Sequence, residues 1–564
     1  VDVQAIVDAV PGALGGALQL DGATFDSLET DVGRRWTAGL VVLLAGVSTT
    51  LGQSVALAAN RVGRRRFVVS LGLGAFTLAG GAAFWAATIV GLAWIFGERS
   101  PSFFAVVAAV HLAYAPRVFG VLQLLPFLGL LIEELLLIWT FMALLVGVQE
   151  IVDVSLGTAL ALTLGGYFVL LFAMRTPARW FGIEGTSGWR VPALRVRELD
   201  TRRLVDGLAA RLRLRISRAR APSPEGRRVI ADVAWDALPF VGVFALLVLG
   251  MALLAPLEAL GWWAGWFPGD LNPLRERASL PPPLPGESDD RHFVVYLTGI
   301  GGFGGQFLAR REKAFLEGLE QRLPESVIVR DVFPFSVSNN PLNGERLLSF
   351  LYRWVQRRRL RHPRTVFGLF IVLRNMLQVF VAADPRYGPI NNFGVALEVA
   401  RSLVQQGYTV QGRRPITLIG YSGGGMISVG IARSLHLLLN APVRIVSVGG
   451  VFASDGGLDD VERLLHIRGN RDWVPLLADV IFAGRWRVFP TSAFNRARRQ
   501  GRLVFFDPGA MTHSGPEGYF ARRAKRDEDG QVHAEYITDL IAEEVKRRSD
   551  EGAAAEDAAG DESE

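Results

Sequence analysis

Apolar blocks at roughly 37–59, 67–96, 103–125, 127–148 and 156–174, and another at about 237–262, each approach the length a bilayer-crossing helix needs. In hydrocarbon every backbone N–H and C=O must be paired inside its own segment, so blocks of this kind can only be helices. A single block would suit a buried helix of a large soluble protein. Five or six in a row point to a multi-span α-helical membrane domain. The third and fourth blocks are separated only by Pro126, where a kinked or re-entrant pair is expected.

Charge accompanies these blocks. The net charge of +6 is mostly arginine and lies next to the apolar segments, a pattern that suits anionic lipid headgroups rather than nucleic acid. Arg61, Arg64, Arg65 and Arg66 join the first two blocks, and Arg175 and Arg179 follow the fifth. A segment running from Arg190 to Arg220 precedes the sixth. If all three face the cytoplasm, the spans alternate without contradiction and the C-terminal half starts on the extracytoplasmic side, after Trp262, Trp263 and Trp266. In the arginine segment, Leu204, Leu208, Leu212 and Ile216 form an apolar stripe. It reads either as a helix lying on lipid headgroups or as a solvated linker helix.

A chain of 564 residues exceeds what one core usually holds. The expected layout begins with an amphipathic segment over 1–35 without a cleavable signal, then a membrane domain over 36–175. A cytoplasmic linker over 176–236 and a sixth transmembrane helix over 237–266 follow. After a proline-rich linker over 267–290 comes an α/β domain over 291–548 with an insertion at about 335–395, and an acidic disordered tail over 549–564 ends the chain. The absence of cysteine excludes disulfides, thiolate metal sites and a cysteine nucleophile.

Phe25-Asp26-Ser27-Leu28-Glu29-Thr30-Asp31, then Leu112-Ala113-Tyr114-Ala115-Pro116, and later Val146-Gly147-Val148-Gln149-Glu150-Ile151 give residues 20–175 a familiar outline. The region resembles the Yip-domain family of multi-span membrane proteins. That resemblance implies a five-helix module and supplies no catalytic site. Ionisable groups within spans are functional candidates. Here they are His111, Glu133 and Glu134, with the two glutamates expected either to pair with Arg117 or to mark a segment end.

In the C-terminal half strand and helix signals alternate, as in a mostly parallel sheet with helices on both faces. The strand candidates are 293–297, 327–332, 416–419, 443–448, 461–467 and 503–506, each a short continuous apolar run. Behind the third comes Gly420-Tyr421-Ser422-Gly423-Gly424-Gly425, then a small-residue helical stretch. This is a G-x-S-x-G elbow in a strand–turn–helix setting, which holds a serine nucleophile in a tight turn. Asp472 follows the fifth strand and His513 the sixth, giving the order Ser, Asp, His at one edge of the sheet. His513 would take the Ser422 proton and Asp472 would orient the imidazole. Asp455, after the fourth strand, is the alternative acid. One oxyanion donor is expected from Gly423, and the other from Ile300 or Gly301 in the glycine loop after the first strand. That loop can also cradle phosphate, but its spacing fits a dinucleotide poorly.

Residues 291–548 resemble the α/β-hydrolase superfamily, on the elbow, the ordered acid and histidine, and the glycine loop. Thr298-Gly299 stands where that fold usually carries His-Gly, and the 335–395 insertion is a second departure. The resemblance implies a membrane-anchored serine hydrolase of esterase, lipase or thioesterase type. It would act without metal or organic cofactor through an acyl-enzyme, on a lipid-like or other amphipathic acyl substrate, with membrane lipids as partners. The insertion reads either as an apolar lid or as a segment buried against the sheet. The alternative reading of the whole is a catalytically silent hydrolase-fold scaffold on a Yip-like membrane protein.

Overall fold

The computed structural model describes residues 2–96, 102–180, 224–266, 291–302, 304, 308–339, 367–410, 414–526 and 529–546. The leucine stripe at 204–216, the proline-rich linker and the acidic tail lie outside these residues. The chain divides into two units, one over 1–57, 66–123 and 130–251, the other over 58–65, 124–129 and 252–564.

The first unit is helical. Among the described residues five helices are long and apolar enough to cross a membrane: Val32–Gly52, Arg64–Ile95, Phe103–Leu124, Gly129–Val152 and Gly242–Trp263. The block predicted at 156–174 is also helical, within Leu156–Trp180. The first block stops earlier than predicted, and a separate short helix, Ser54–Ala59, follows it. The stop coincides with a close approach: a Cβ on Gly52 would lie 2.2 Å from the Gly120 carbonyl oxygen. In the third block the α-helix ends at Ala113 and continues as a 3-10 helix, Ala115–Leu124. Pro116 at that point lacks the N–H an α-turn would use.

The N-terminal segment folds as the helices Val3–Leu18 and Gly22–Asp26, capped by the Asp2 and Asp21 carboxylates. Ala17 and Phe25 belong to a core shared with Val41, Ile89, Ala109 and Val148. Polar groups in this core are matched across helices. The Trp85 indole donates to the Thr163 carbonyl, and the Ser48 hydroxyl donates to Val118 O while accepting from Val121 N. The expected ion pair of Arg117 with Glu133 or Glu134 is not formed among the described residues. Arg117 Nε is buried without a hydrogen-bond partner, and Glu134 is exposed.

The second unit is built on a six-stranded, wholly parallel sheet of order β2-β1-β3-β4-β5-β6. The strands are β1 His292–Leu297, β2 Ser326–Val329, β3 Ile416–Tyr421, β4 Val443–Val448, β5 Val461–Ile467 and β6 Leu503–Phe506. All six predicted strands are present, and β2 is shorter than expected. Alternate residues enter opposite cores. Phe293, Val295, Leu418 and Ile445 meet the helices Gly388–Gln405 and Gly424–Leu439. Val294, Tyr296, Val446 and Ile467 meet the helix Arg310–Arg322 and a helix over 533–546. Both faces are covered, which is why each strand reads as an unbroken apolar run.

The described residues of the insertion are 335–339 and 367–395, and its first described helix is Phe367–Ala383. Ile371, Val381 and Ala382 are buried, and so are its polar residues Arg374, Asn375 and Gln378. Arg374 donates to Phe335 O and to the Glu258 carboxylate, and Gln378 donates to Ala255 O. Burial, rather than an unpartnered apolar surface, describes most of this helix. The segment 124–129 is fastened to the turn that follows. Asp384 accepts from Phe127 N at 2.8 Å, Arg386 donates to Leu125 O, and the Tyr387 hydroxyl donates to Leu124 O. In the same unit the indoles of Trp263 and Trp266 donate to Ala59 O and Val62 O, and Arg61 lies over the Trp263 ring.

Candidate active site

Because the sheet is parallel, the carboxyl ends of β3, β5 and β6 and the turns behind them share one edge, where ligands of open α/β sheets bind. Ser422 follows β3 with φ of +53°, in the left-handed region that a non-glycine residue occupies only under constraint. The constraint is backbone pairing. Ser422 N donates to Val448 O, while Ser422 O accepts from Gly425 N and Val451 N. Close helix–strand packing behind the turn requires glycine, since a Cβ on Gly424 would lie 2.3 Å from Leu297 O.

Three side chains converge across the ends of these strands. His513 Nε2 lies 2.9 Å from Ser422 Oγ, and His513 Nδ1 lies 2.9 Å from Asp472 Oδ2. A carboxylate only accepts, so the proton of the neutral imidazole belongs on Nδ1 and Nε2 is left to accept from the serine. Ser422 and Asp472 are buried, at 6% and 2% exposure. The other Asp472 oxygen, Oδ1, accepts from Val474 N at 3.0 Å.

Asp455 is elsewhere. Its carboxylate accepts from Gly457 N and caps the turn Gly456–Asp459. Burial pushes its pKa up to about 6. Asp472, not Asp455, is hydrogen-bonded to His513.

The glycine loop lies beside the elbow. Gly302 N donates to Gly299 O, closing a turn around Ile300 and Gly301, and Ile300 Cγ2 sits 2.6 Å from where a Cβ on Gly423 would be. Among the described residues neither Gly423 N nor Ile300 N donates to an acceptor of the protein. Gly423 also precedes the helix Gly424–Leu439, whose amino end favours negative charge.

Supporting groups that the sequence did not single out complete the arrangement. The Tyr519 hydroxyl donates to Asp472 Oδ2 at 2.7 Å and accepts from Gly469 N. Burial first, and then the Asp472 charge, raise its pKa, so it remains a donor. Tyr421 stacks on the His513 ring at 18° and donates its hydroxyl to His513 O. Asn375, fully buried, donates to both Ile300 O and Gly302 O, at 2.8 and 2.9 Å. Glu312, whose pKa is raised by burial, accepts from Tyr296 and from Thr298 at the start of the same loop. Asn375 carried a visible signal, a polar interruption in an apolar helix, because a buried amide needs partners. Tyr519 carried none.

Among the described residues no group of three or more His, Asp or Glu side chains is placed to hold a metal ion. A scan against protein-family models and searches of the curated proteins and of the solved structures found no match to this chain.

Proposed function

We propose that the chain is a membrane-anchored serine hydrolase whose second unit has the α/β-hydrolase fold. The observation that carries this reading is the continuous hydrogen-bonded series Ser422–His513–Asp472, with the serine on a turn of positive φ. The wholly parallel order β2-β1-β3-β4-β5-β6 supports it, with serine, acid and histidine following the third, fifth and sixth strands.

In this reading Ser422 Oγ attacks the acyl carbonyl while His513 Nε2 takes its proton. The carbonyl oxygen gains charge beside the amides of Gly423 and Ile300. Collapse breaks the bond to the leaving group, which takes the proton from His513, and leaves an acyl ester on Ser422. Water, deprotonated by His513, then attacks that ester and releases the acid, and the proton returns to Ser422. Asp472 holds the imidazole and stabilises its charged form. The apolar helices tether this chemistry to a membrane. The extracytoplasmic expectation is not kept, because the Trp263 and Trp266 indoles donate to Ala59 O and Val62 O, which puts the start of the α/β unit beside the arginine loop at 61–66 that the same alternation assigns to the cytoplasm.

The test is hydrolysis of soluble p-nitrophenyl esters by the detergent-purified full chain. The reading expects an initial burst of p-nitrophenol, with Ser422→Ala reduced to background while its unfolding temperature is unchanged or higher. Equal rates for both proteins would overturn it.

A further inference from the structure

Immediately after Asp472 the chain exposes an unusual run of large apolar side chains. Trp473 is 64% exposed, Val480 53%, and Leu476, Leu477 and Ile481 about two-fifths each. The last four occupy the helix Leu476–Ile481 at spacings that put them on one face. The polar group on this helix is already matched, since Asp479 pairs with Arg485 at 2.9 Å. A groove of about 300 Å³ is bordered by both Asp472 and Leu476. An apolar cluster of this kind is costly in water unless something covers it.

What covers it is indicated by its neighbour. Phe482, at the end of the helix, packs against Phe127 with ring centroids 5.7 Å apart. Phe127 belongs to the short segment between two helices long and apolar enough to cross a membrane, Phe103–Leu124 and Gly129–Val152, and its neighbour Leu128 is also exposed. The exposed face is therefore continuous, through Phe482 and Phe127, with a segment joined at both ends to apolar helices. It carries an exposed tryptophan and, beyond it, the exposed Arg487, the residue types that settle at a lipid interface.

We propose that Trp473 and the helix Leu476–Ile481 form a bilayer-docking surface at the rim of the serine site, so that the acyl esters taken there are lipids held in the membrane. The docking surface stands on the exposed side chains, while the substrate class rests on the hydrolase reading.

The lack of cysteine allows the two to be tested separately. In the full chain reconstituted into phosphatidylcholine vesicles, Val480→Cys and, as an aqueous reference, Lys313→Cys would each carry an environment-sensitive fluorophore. The proposal expects the label at 480 to be quenched by nitroxide on the lipid acyl chains and shielded from aqueous iodide, and the label at 313 to behave oppositely. A label at 480 open to iodide would overturn it. So would one shielded from both quenchers, which would mean a protein cover such as a second copy.

Val480→Ser with Ile481→Ser should then lower hydrolysis of a long-chain ester dissolved in the vesicles by about tenfold, leaving a soluble acetyl ester unaffected. Equal effects on both esters would overturn the substrate class. If the unsubstituted chain hydrolyses neither ester, the hydrolase reading fails and the substrate class falls with it, while the quenching result still decides the docking surface.

Discussion

Asp472 Oδ2 accepts two hydrogen bonds at once, from His513 Nδ1 at 2.9 Å and from the Tyr519 hydroxyl at 2.7 Å. The tyrosine also receives Gly469 N–H, which ties the acid-bearing loop to the histidine-bearing one. Tyr519→Phe removes a donor to a buried carboxylate and leaves a buried amide without its acceptor. The expected cost is about 1–3 kcal/mol of stability and roughly tenfold in kcat. Chemical unfolding and steady-state kinetics on a soluble ester check both, and an unchanged kcat would remove Tyr519 from the account.

Gly449 lies directly beneath these groups with φ of +54°. A Cβ there would come 2.7 Å from the Tyr519 ring, 3.0 Å from Asp472 Oδ2 and 3.2 Å from His513 Nδ1. Gly449→Ala combines backbone strain with displacement of the acid and base, so a loss of about a hundredfold or more in kcat/KM is expected. Gly501→Ala, also at positive φ but with open space around its Cβ position, is the control, and should lose stability without a comparable loss of activity.

Asn375 acts on the other side of the serine through its two bonds to the Ile300 and Gly302 carbonyls. Asn375→Leu should free the loop and lower kcat by about tenfold to a hundredfold with little change in KM, as loss of an interaction made in the transition state does. A change in KM alone would assign Asn375 to substrate binding instead.

These supporting residues mark where sequence reading stopped. The six strands were legible because a strand buried on both faces must be apolar throughout, and Ser422, Asp472 and His513 because each follows a strand in a fixed order. Tyr519 and Gly449 meet the acid only through the folded chain, at separations that no local pattern encodes. The early end of the first apolar helix was hidden for the same reason, since Gly52 is constrained by Gly120 on another helix. The choice between Asp472 and Asp455 also needed geometry, because both follow strands at the same sheet edge.

Two buried histidines away from the serine set an acid limit on stability. Burial lowers His466 to about 3 and His292 to about 4, below the value near 6.5 that an unfolded chain shows. A depressed folded value means that the unfolded state binds the proton first. Stability is therefore full above pH 6.5 and falls as the pH drops toward 4 and 3. Each histidine should cost roughly 2 kcal/mol between pH 7 and pH 5. Denaturant midpoints across that range test this, and His466→Leu should flatten the slope while lowering stability at pH 7.

The central claim is that Ser422 is an activated nucleophile. Isolated membranes treated with a fluorophosphonate should show covalent labelling of the full chain, with the adduct mapped by peptide mass spectrometry to Ser422. Labelling should disappear in Ser422→Ala and fall by at least about a hundredfold in rate in His513→Ala. A folded chain that resists the probe, or labels equally well without His513, would contradict the account.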